Sequence, residues 1–172
     1  VTPEGLAKLP TVFRDGGTVT PGNASGITDG AASLIVTTEA GAARLGLQIT
    51  ARLIDWQVVG VEPRIMGIGP VPATQQLLER QKLGYDDIDL VELNEAFASQ
   101  VLACLTDLPF DTDRVNADGG AIAVGHPIGC TGSRILVTLL HGLQYRQVKR
   151  GVATLCVAGG MGLAALVEAE GV

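Results

Sequence analysis

The run Asn116-Ala-Asp-Gly-Gly-Ala-Ile-Ala-Val-Gly-His-Pro-Ile-Gly-Cys-Thr-Gly132 contains five glycines, one proline and one histidine. Glycine permits backbone conformations and close approaches that a Cβ blocks, and proline suits the first position of a helix. The run therefore predicts a loop that presents His126 at the N-terminus of a helix beginning at Pro127. An imidazole in that position stays neutral at pH 7 and can act as a base or a hydrogen-bond donor. A purely structural histidine in a glycine-rich loop is the alternative.

The composition predicts one domain that buries part of its surface against something else. The chain has 172 residues, which is enough for a hydrophobic core without disulfides or metals. Charged residues make up 17% of the chain, against about 25% in typical soluble domains. Part of the exterior is therefore expected to contact a partner subunit or another part of the same polypeptide. The net charge of −6 and the absence of a Lys/Arg cluster argue against nucleic-acid binding.

The cysteine pattern indicates a reducing, cytoplasmic setting. None of the three cysteines forms a CxxC pair, and we expect no signal peptide because neither a basic nor an apolar segment follows Val1. The uncharged segment 151–167 is shorter than the roughly 20 residues that span a bilayer, and Gly159-Gly160 divides it. We therefore expect two buried strands joined by a tight turn, and no membrane segment.

Hydrophobic periodicity predicts alternating strands and helices along most of the chain. The pattern corresponds to βαβαβαββ, with the two helices before the fourth strand counted together, and to a mixed, mostly parallel five-stranded sheet with helices on both faces. The predicted strands are residues 31–38, 51–61, 88–93, 152–158 and 161–167, and the predicted helices are residues 39–45, 73–83, 96–105 and 128–145.

Two polar residues lie where such a sheet places functional groups, at or near the carboxyl ends of strands, and a third lies in a turn. Asn94 follows the third strand, Cys156 is near the end of the fourth, and Ser25 lies in a flexible turn before the first. Each also has a structural interpretation, as a helix N-cap, a core thiol and a turn serine respectively. The glycines after Cys156 would let a ligand approach backbone amides.

Four segments in this order resemble the C-terminal half of the thiolase family, and the resemblance covers nearly the whole chain. It implies an α/β chain that forms one half of the thiolase fold, with a C-terminal domain at 22–172 and an irregular segment at 1–21 that continues from an upstream loop domain. The segments are Gly-Asn-Ala-Ser-Gly-Ile-Thr-Asp-Gly-Ala-Ala at 22–32, Asn-Glu-Ala-Phe-Ala at 94–98, Gly-Gly-Ala-Ile-Ala-Val-Gly-His-Pro-Ile-Gly at 119–129, and Cys156 before a glycine run.

The resemblance implies an acyl-CoA C-acyltransferase that cleaves or forms 3-ketoacyl-CoA through an acyl-cysteine intermediate. Coenzyme A and acyl-CoA would be substrates; no tightly bound cofactor and no metal are implied, and family members are homo-oligomers. The run from Val61 to Thr74 is similar to that of 3-oxoadipyl-CoA and acetoacetyl-CoA thiolases. That similarity suggests a role in aromatic or fatty acid degradation.

The resemblance also implies residue roles. His126 would deprotonate the nucleophilic cysteine and help bind the thioester oxygen, and Asn94 would hold a water that donates to the same oxygen. Cys156 would act as the second acid/base, a task that suits a thiol with a pKa near 8.5. The backbone N–H of Ala158, where the family usually has glycine, would serve a second oxyanion hole. Alanine suits that position if its φ is negative.

Ser25 would contact the pantetheine arm of coenzyme A, and Phe97 would line the acyl pocket. The family's nucleophilic cysteine lies in its N-terminal half, which this sequence lacks. We therefore expect the chain to be inactive alone and to require an N-terminal half, in the same or a separate chain. A local dyad of His126 with Cys130, one helical turn away if the helix begins at Pro127, is the alternative source of a nucleophile.

Two further hypotheses remain open. A non-catalytic thiolase-like subunit could bind acyl-CoA or a partner protein, although such a subunit has no need of His126, Asn94 and Cys156 together. Another condensing enzyme of the same fold, such as a ketoacyl synthase, uses two histidines. The only other histidine, His141, lies inside a predicted amphipathic helix, which is a poor position for that role.

Overall fold

A computed structural model describes residues 1–172. Its helices and strands follow one another from Glu39 onward, with three 3-10 helices among them, and residues 7–38 form a long connection without a helix or strand. The α-helices are α1 (Pro3–Leu6), α2 (Glu39–Leu45), α3 (Pro70–Gln81), α4 (Ala98–Asp107), α5 (Ala121–Val124) and α6 (Thr131–Arg146). The strands are β1 (Ala51–Gly60), β2 (Leu90–Leu93), β3 (Arg150–Val157) and β4 (Met161–Ala169), and the 3-10 helices are Pro63–Ile68, Tyr85–Asp87 and Thr112–Arg114.

The strands form one mixed sheet in the order β1-β4-β3-β2. A short turn joins β3 to β4 as an antiparallel hairpin, β1 pairs antiparallel with β4, and β2 pairs parallel with β3. The crossover from β2 to β3 contains α4, α5 and α6, as a parallel connection requires. The α/β class is confirmed. The expectation of a mostly parallel sheet is wrong, since one of the three strand pairs is parallel.

The sheet has four strands and not the expected five, because residues 31–38 do not form a strand. The segment donates no backbone hydrogen bond to the sheet, and its β-branched residues Ile35 and Val36 are exposed. A β-branched run forms a strand only when a neighbouring strand accepts its hydrogen bonds and packs against its side chains. No strand of this chain does so for residues 31–38.

Helices cover both faces of the sheet and divide the core in two. On one face α3 packs against β1, β3 and β4, with α4 beside it, and Leu77 and Leu166 lie at the centre of a 13-residue apolar cluster. On the other face α6 packs against β2 and β3, and Leu139 and Val167 belong to a second cluster of 7 buried residues. This arrangement fixes the carboxyl ends of β2 and β3 between the helical layers.

Helix α2 has the predicted bounds because both of its ends are capped. The Thr38 hydroxyl accepts a hydrogen bond from the Gly41 amide at 3.1 Å, which makes Thr38 the N-cap. Gly46 ends the helix in a left-handed conformation with φ of 63°.

Helix α6 begins at Thr131, so the expected start at Pro127 is wrong. Pro127 instead begins a tight turn, in which its carbonyl accepts hydrogen bonds from the amides of Cys130 at 2.7 Å and Thr131 at 2.8 Å. His126, immediately before the proline, forms a bridge with Ile27, because proline restricts the preceding residue to extended conformations. His126 therefore lies one turn before the helix, not on it.

The outer part of the sheet remains exposed beside α6. Asp55 and Gln57 of β1 hydrogen-bond to Arg80 of α3, so the alternating residues Trp56 and Val58 point to the α6 side. Trp56 is 60% exposed and Val58 is 53% exposed. No helix of the chain has the length and apolar character that crossing a membrane requires.

Candidate active site

Backbone hydrogen bonds join the segment around Ser25 to the end of β2. The Ser25 amide and hydroxyl both donate to the carbonyl of Ala96, at 3.1 and 3.2 Å. The Ala98 amide donates to the carbonyl of Asn23 at 2.8 Å, and Ala24 bridges Phe97. Ser25 therefore lies directly beside the Asn94–Ala98 segment, although about 70 residues separate them in sequence.

The same segment also contacts the glycine-rich loop. The His126 amide donates to the carbonyl of Gly26 at 2.8 Å, and His126 forms a parallel bridge with Ile27. Residues 23–27 thus lie between the end of β2 on one side and His126 on the other. Three of the segments singled out in the sequence meet in this way.

The His126 imidazole is oriented by a buried threonine. Its Nδ1 lies 2.7 Å from Oγ1 of Thr131, which is 1% exposed. The Thr131 hydroxyl can donate its one hydrogen to the carbonyl of Pro127 at 3.0 Å, and its oxygen then accepts from the ring. With the hydroxyl hydrogen directed to Pro127, the neutral imidazole has its proton on Nδ1, and Nε2 carries the lone pair that can accept a proton.

Burial also favours the neutral form of His126. The pKa of the imidazole is lowered from 6.5, first by desolvation and then by the positive charge of Arg134 on α6. The expected neutrality at pH 7 therefore has two causes, neither of which is a helix beginning at Pro127. A neutral imidazole with a free Nε2 lone pair is a competent general base.

Asn94 presents a buried amide without a protein partner. Its backbone amide donates to the carbonyl of Thr154 on β3 at 3.0 Å, which fixes the residue at the end of β2. The side chain is part of a residue that is 2% exposed, yet neither Nδ2 nor Oδ1 has a hydrogen-bond partner in the chain. A buried amide of this kind needs a water or a ligand to satisfy it.

Cys156 lies on β3, two residues beyond Thr154, which contacts Asn94. It is a free, half-buried thiol whose pKa is raised by burial. The thiol is therefore protonated at neutral pH and can donate a proton. Because β2 and β3 are parallel neighbours, Asn94 and Cys156 lie at the same edge of the sheet.

Ala158 begins the turn between β3 and β4, and the positive φ angles there belong to Gly159 at 88° and Gly160 at 90°. Ala158 is not among the residues with positive φ, so its Cβ is compatible with its backbone conformation. Ala158 therefore meets the requirement, stated above, that an alanine at this position has a negative φ.

Phe97 is paired with an aromatic residue that the sequence pattern did not single out. Its ring packs edge-to-face against Phe13, with centroids 5.8 Å apart. Phe13 lies in the irregular N-terminal segment, and aromatic residues make up 3% of the chain. The sequence signal that could have pointed to Phe13 is that aromatic residues are rare in this chain and this one lies in a loop that contains Gly16 and Gly17. The contact brings the N-terminal segment to the candidate site.

The remaining histidine and cysteines lie elsewhere. Cys130 precedes α6, and the His126 ring bonds Thr131 instead, so the one-turn spacing that suggested a His126–Cys130 dyad is absent. Cys104 is buried in the core, donates to the carbonyl of Gly67 at 3.3 Å, and has its pKa raised to about 11 by burial. His141 is an exposed residue of α6. No group of three or more His, Cys, Asp or Glu is arranged to hold a metal ion.

Comparison with known proteins identifies the family of this chain. Residues 47–169 match the family described as "Thiolase, C-terminal domain", and residues 1–40 match "Thiolase, N-terminal domain". The chain is 52% identical to an acetyl-CoA acetyltransferase of Syntrophomonas wolfei over 170 residues, which cover 98% of this chain and 43% of that protein. The chain therefore belongs to the thiolase family and spans less than half the length of the curated relatives it matches.

Solved structures give the same result. The crystal structure of the Bacillus anthracis acetyl-CoA acetyltransferase superposes with a TM-score of 0.94 at 49% identity, covering 98% of this chain and 43% of that one. Human mitochondrial 3-ketoacyl-CoA thiolase in complex with CoA superposes with a TM-score of 0.90 at 42% identity, with the same coverage. The first neighbour is named an acetyltransferase and the second a thiolase.

Proposed function

We propose that this chain is the C-terminal part of a thiolase, an acyl-CoA C-acyltransferase that cleaves or forms 3-ketoacyl-CoA. The observation that carries the proposal is the hydrogen-bonded meeting of Ser25, the end of β2 and His126, with Cys156 on the adjacent strand. Family membership and the CoA complex of a structural neighbour support coenzyme A thioesters as the substrates.

In the cleavage direction, a cysteine of the N-terminal part loses its proton to Nε2 of His126 and attacks the 3-keto carbon. The imidazolium and a water held by Asn94 then donate hydrogen bonds to the developing oxyanion. The bond between C2 and C3 breaks, and the Cys156 thiol protonates C2 to release acetyl-CoA. The remaining acyl group is on the N-terminal cysteine as a thioester.

A second coenzyme A then removes the acyl group. Its thiol loses a proton to the Cys156 thiolate and attacks the acyl-enzyme, the thioester bond to the N-terminal cysteine breaks, and the departing thiolate takes back its proton from the His126 imidazolium. In the earlier cleavage step, before C2 is protonated, the Ala158 amide donates to the oxyanion of the acetyl-CoA enolate. Ser25 contacts the pantetheine arm, and Phe97, packed against Phe13, forms part of the acyl pocket.

The exposed apolar side chains of β1 support a requirement for the N-terminal part. Trp56 and Val58 lie beside α6 with no covering element, and apolar surface of this kind is usually buried against another structural unit. We further propose a homo-oligomer in a cytoplasmic, reducing compartment, where free thiols such as Cys156 remain reduced. The acyl chain is that of acetoacetyl-CoA or 3-oxoadipyl-CoA.

The test is an acetoacetyl-CoA thiolysis assay with the chain alone and with a thiolase N-terminal half supplied as a second chain. We expect turnover only in the mixture. His126→Ala should abolish it, and Cys130→Ala, the matched cysteine control, should retain it. Turnover by the chain alone would contradict the proposal. Coenzyme A binding that survives both His126→Ala and Cys156→Ala, without turnover in any mixture, would indicate a binding subunit.

A further inference from the structure

The backbone of Asn116 has an unusual conformation for its position. Its φ is 49°, in the left-handed region. The two other non-glycine residues with positive φ, Lys82 and Gln147, are the C-caps of α3 and α6, where the conformation is common. Asn116 lies in the loop before the glycine-rich segment, so other contacts must hold it there.

Those contacts are made by its side chain with the last residue of β2. Oδ1 of Asn116 accepts a hydrogen bond from the Leu93 amide at 2.9 Å, and Nδ2 donates to the Leu93 carbonyl at 2.9 Å. The Asn116 amide also donates to the carbonyl of Val91 at 2.8 Å. The side chain thus pairs with β2 as a neighbouring strand would, one residue before Asn94.

Glu95, one residue after Asn94, continues the connection to the histidine loop. Its Oε1 accepts a hydrogen bond from Nδ2 of Asn116 at 3.1 Å, and its Oε2 accepts one from the Ile122 amide at 2.9 Å. Ile122 lies in α5, four residues before His126. One carboxylate therefore links the end of β2, the Asn116 loop and the segment that leads to the imidazole.

The close packing around the Glu95 carboxylate explains why residue 120 is a glycine. A Cβ on Gly120 would overlap the carboxylate of Glu95, so the backbone and the carboxylate lie in direct contact. The approach is possible only because residue 120 has no side chain. Glu95 is therefore held on three sides, by Asn116, Gly120 and Ile122.

We propose that Glu95 and Asn116 are positioning residues that set the distance between the Asn94 amide and the His126 imidazole. Both neighbours of Asn94 are fixed by this pair, whereas the Asn94 side chain has no protein partner of its own. The inference rests on the proposed function, in which Asn94 and His126 act on one thioester oxygen. Misplacement of a catalytic group by about 1 Å can lower a rate by about 100-fold.

Glu95→Gln tests the pair with little change of shape. Glutamine has one acceptor oxygen, so its NH2 must face either the Nδ2 of Asn116 or the Ile122 amide, and one hydrogen bond is lost. We expect kcat for thiolysis in the reconstituted enzyme to fall by about 10–100-fold, with KM for coenzyme A within about twofold. Asp118→Asn is the control, because Asp118 belongs to the same loop and pairs with Arg146. It should leave kcat nearly unchanged.

A double variant separates positioning from loss of folding. In Asn116→Asp the new carboxylate faces that of Glu95 and repels it, and the hydrogen bond to the Leu93 carbonyl is lost in this variant and in the double variant alike. When Glu95→Gln is added, the carboxylate introduced at position 116 can accept a hydrogen bond from the side-chain NH2 introduced at position 95. The oxygen of the same glutamine side chain can accept one from the Ile122 amide. The double variant should therefore recover at least about tenfold in kcat over Asn116→Asp alone, since a hydrogen bond to a charged group is restored.

A spectroscopic measurement on the chain does not depend on turnover. The side-chain amide signals of Asn94 and the ring signals of His126 should shift in Glu95→Gln and remain in place in Asp118→Asn. If no thiolysis occurs in any mixture, the proposed function fails, and the signals alone decide the positioning role. Unchanged signals, or equal losses in kcat for Glu95→Gln and Asp118→Asn, would overturn the inference.

Discussion

Nδ1 of His126 lies 2.7 Å from Oγ1 of Thr131, whose own hydrogen is donated to Pro127. With that hydrogen directed to Pro127, the contact favours the tautomer in which Nε2 is free to accept a proton. The Thr131 amide and hydroxyl both bond the carbonyl of Pro127, at 2.8 and 3.0 Å, and this turn holds the Thr131 side chain beside the ring. The turn between the two residues therefore matters for the proposed base.

Thr131→Val should lower kcat for thiolysis by about tenfold, because valine has the same shape and cannot accept the Nδ1 proton. Without that acceptor the two neutral tautomers interconvert freely, and Nε2 is protonated in part of the population. Thr131→Ser keeps the hydroxyl and should retain activity within about twofold. Steady-state kinetics of the reconstituted enzyme measure both. Equal activity of the valine and serine variants would rule out the tautomer argument.

The lowered pKa of His126 predicts a defined pH dependence. The unfolded imidazole binds a proton near 6.5, and the native one does so only at lower pH. Between those values the unfolded state holds more protons, so the free energy of unfolding falls as the pH falls. We expect an NMR titration to place the His126 midpoint below 6.5, with the acid limb of kcat/KM at the same pH. A midpoint above that value would contradict the burial argument.

The sequence predicted local features well when a cap or a short-range pattern determined them. Thr38 and Gly46 fix both ends of α2, and the Gly159-Gly160 turn separates β3 from β4. These signals lie within a few residues of the feature that they determine. The α/β class followed from the same alternation of local patterns.

Features that depend on contacts between residues far apart in the sequence could not be predicted from local patterns. Residues 31–38 have the composition of a strand but no strand beside them, and composition does not reveal that absence. The roles of Thr131, Glu95 and Asn116 depend on hydrogen bonds to groups brought together by the fold. A threonine in a helix, or an acid or amide in a loop, occurs in many proteins without such a role, so residue type alone does not predict it.

Glu92→Gln should stabilise the chain at alkaline pH. Glu92 lies on β2, and burial raises its pKa to about 7, against the attraction of Arg134. The folded pKa is above the unfolded value of 4.5, so the stability present at low pH is lost as the pH rises through about 7. The increase in the free energy of unfolding caused by Glu92→Gln should therefore be about 2–3 kcal/mol larger at pH 8 than at pH 5.

Denaturant unfolding at the two pH values measures the difference for Glu92. The matched control is Glu168→Gln, because Arg150 lowers the pKa of Glu168 from 4.5, so its carboxylate is ionised in both the folded and unfolded states at either pH and the difference should hardly change. The measured quantity is the difference in the free energy of unfolding between the Glu92→Gln variant and the unsubstituted chain. If that difference does not change with pH, burial does not destabilise the Glu92 carboxylate.

Asn94→Ala should separate stability from activity. Its buried amide has no partner in the chain, so removal of the amide relieves a desolvation penalty of about 1–3 kcal/mol, partly offset by a small cavity. We expect a melting temperature equal to or above that of the unsubstituted chain. The loss of the water that Asn94 holds should lower kcat for thiolysis by about 100-fold.

Asn116→Ala provides the contrast for Asn94→Ala, because it removes an amide whose oxygen and nitrogen are both hydrogen-bonded to β2 and leaves alanine in the left-handed region. That variant should melt at a lower temperature, whereas Asn94→Ala should not. The contrary outcome is that Asn94→Ala lowers the melting temperature as much as Asn116→Ala does. The Asn94 amide would then make hydrogen bonds within the protein that stabilise the fold, and binding a water would not be its main role.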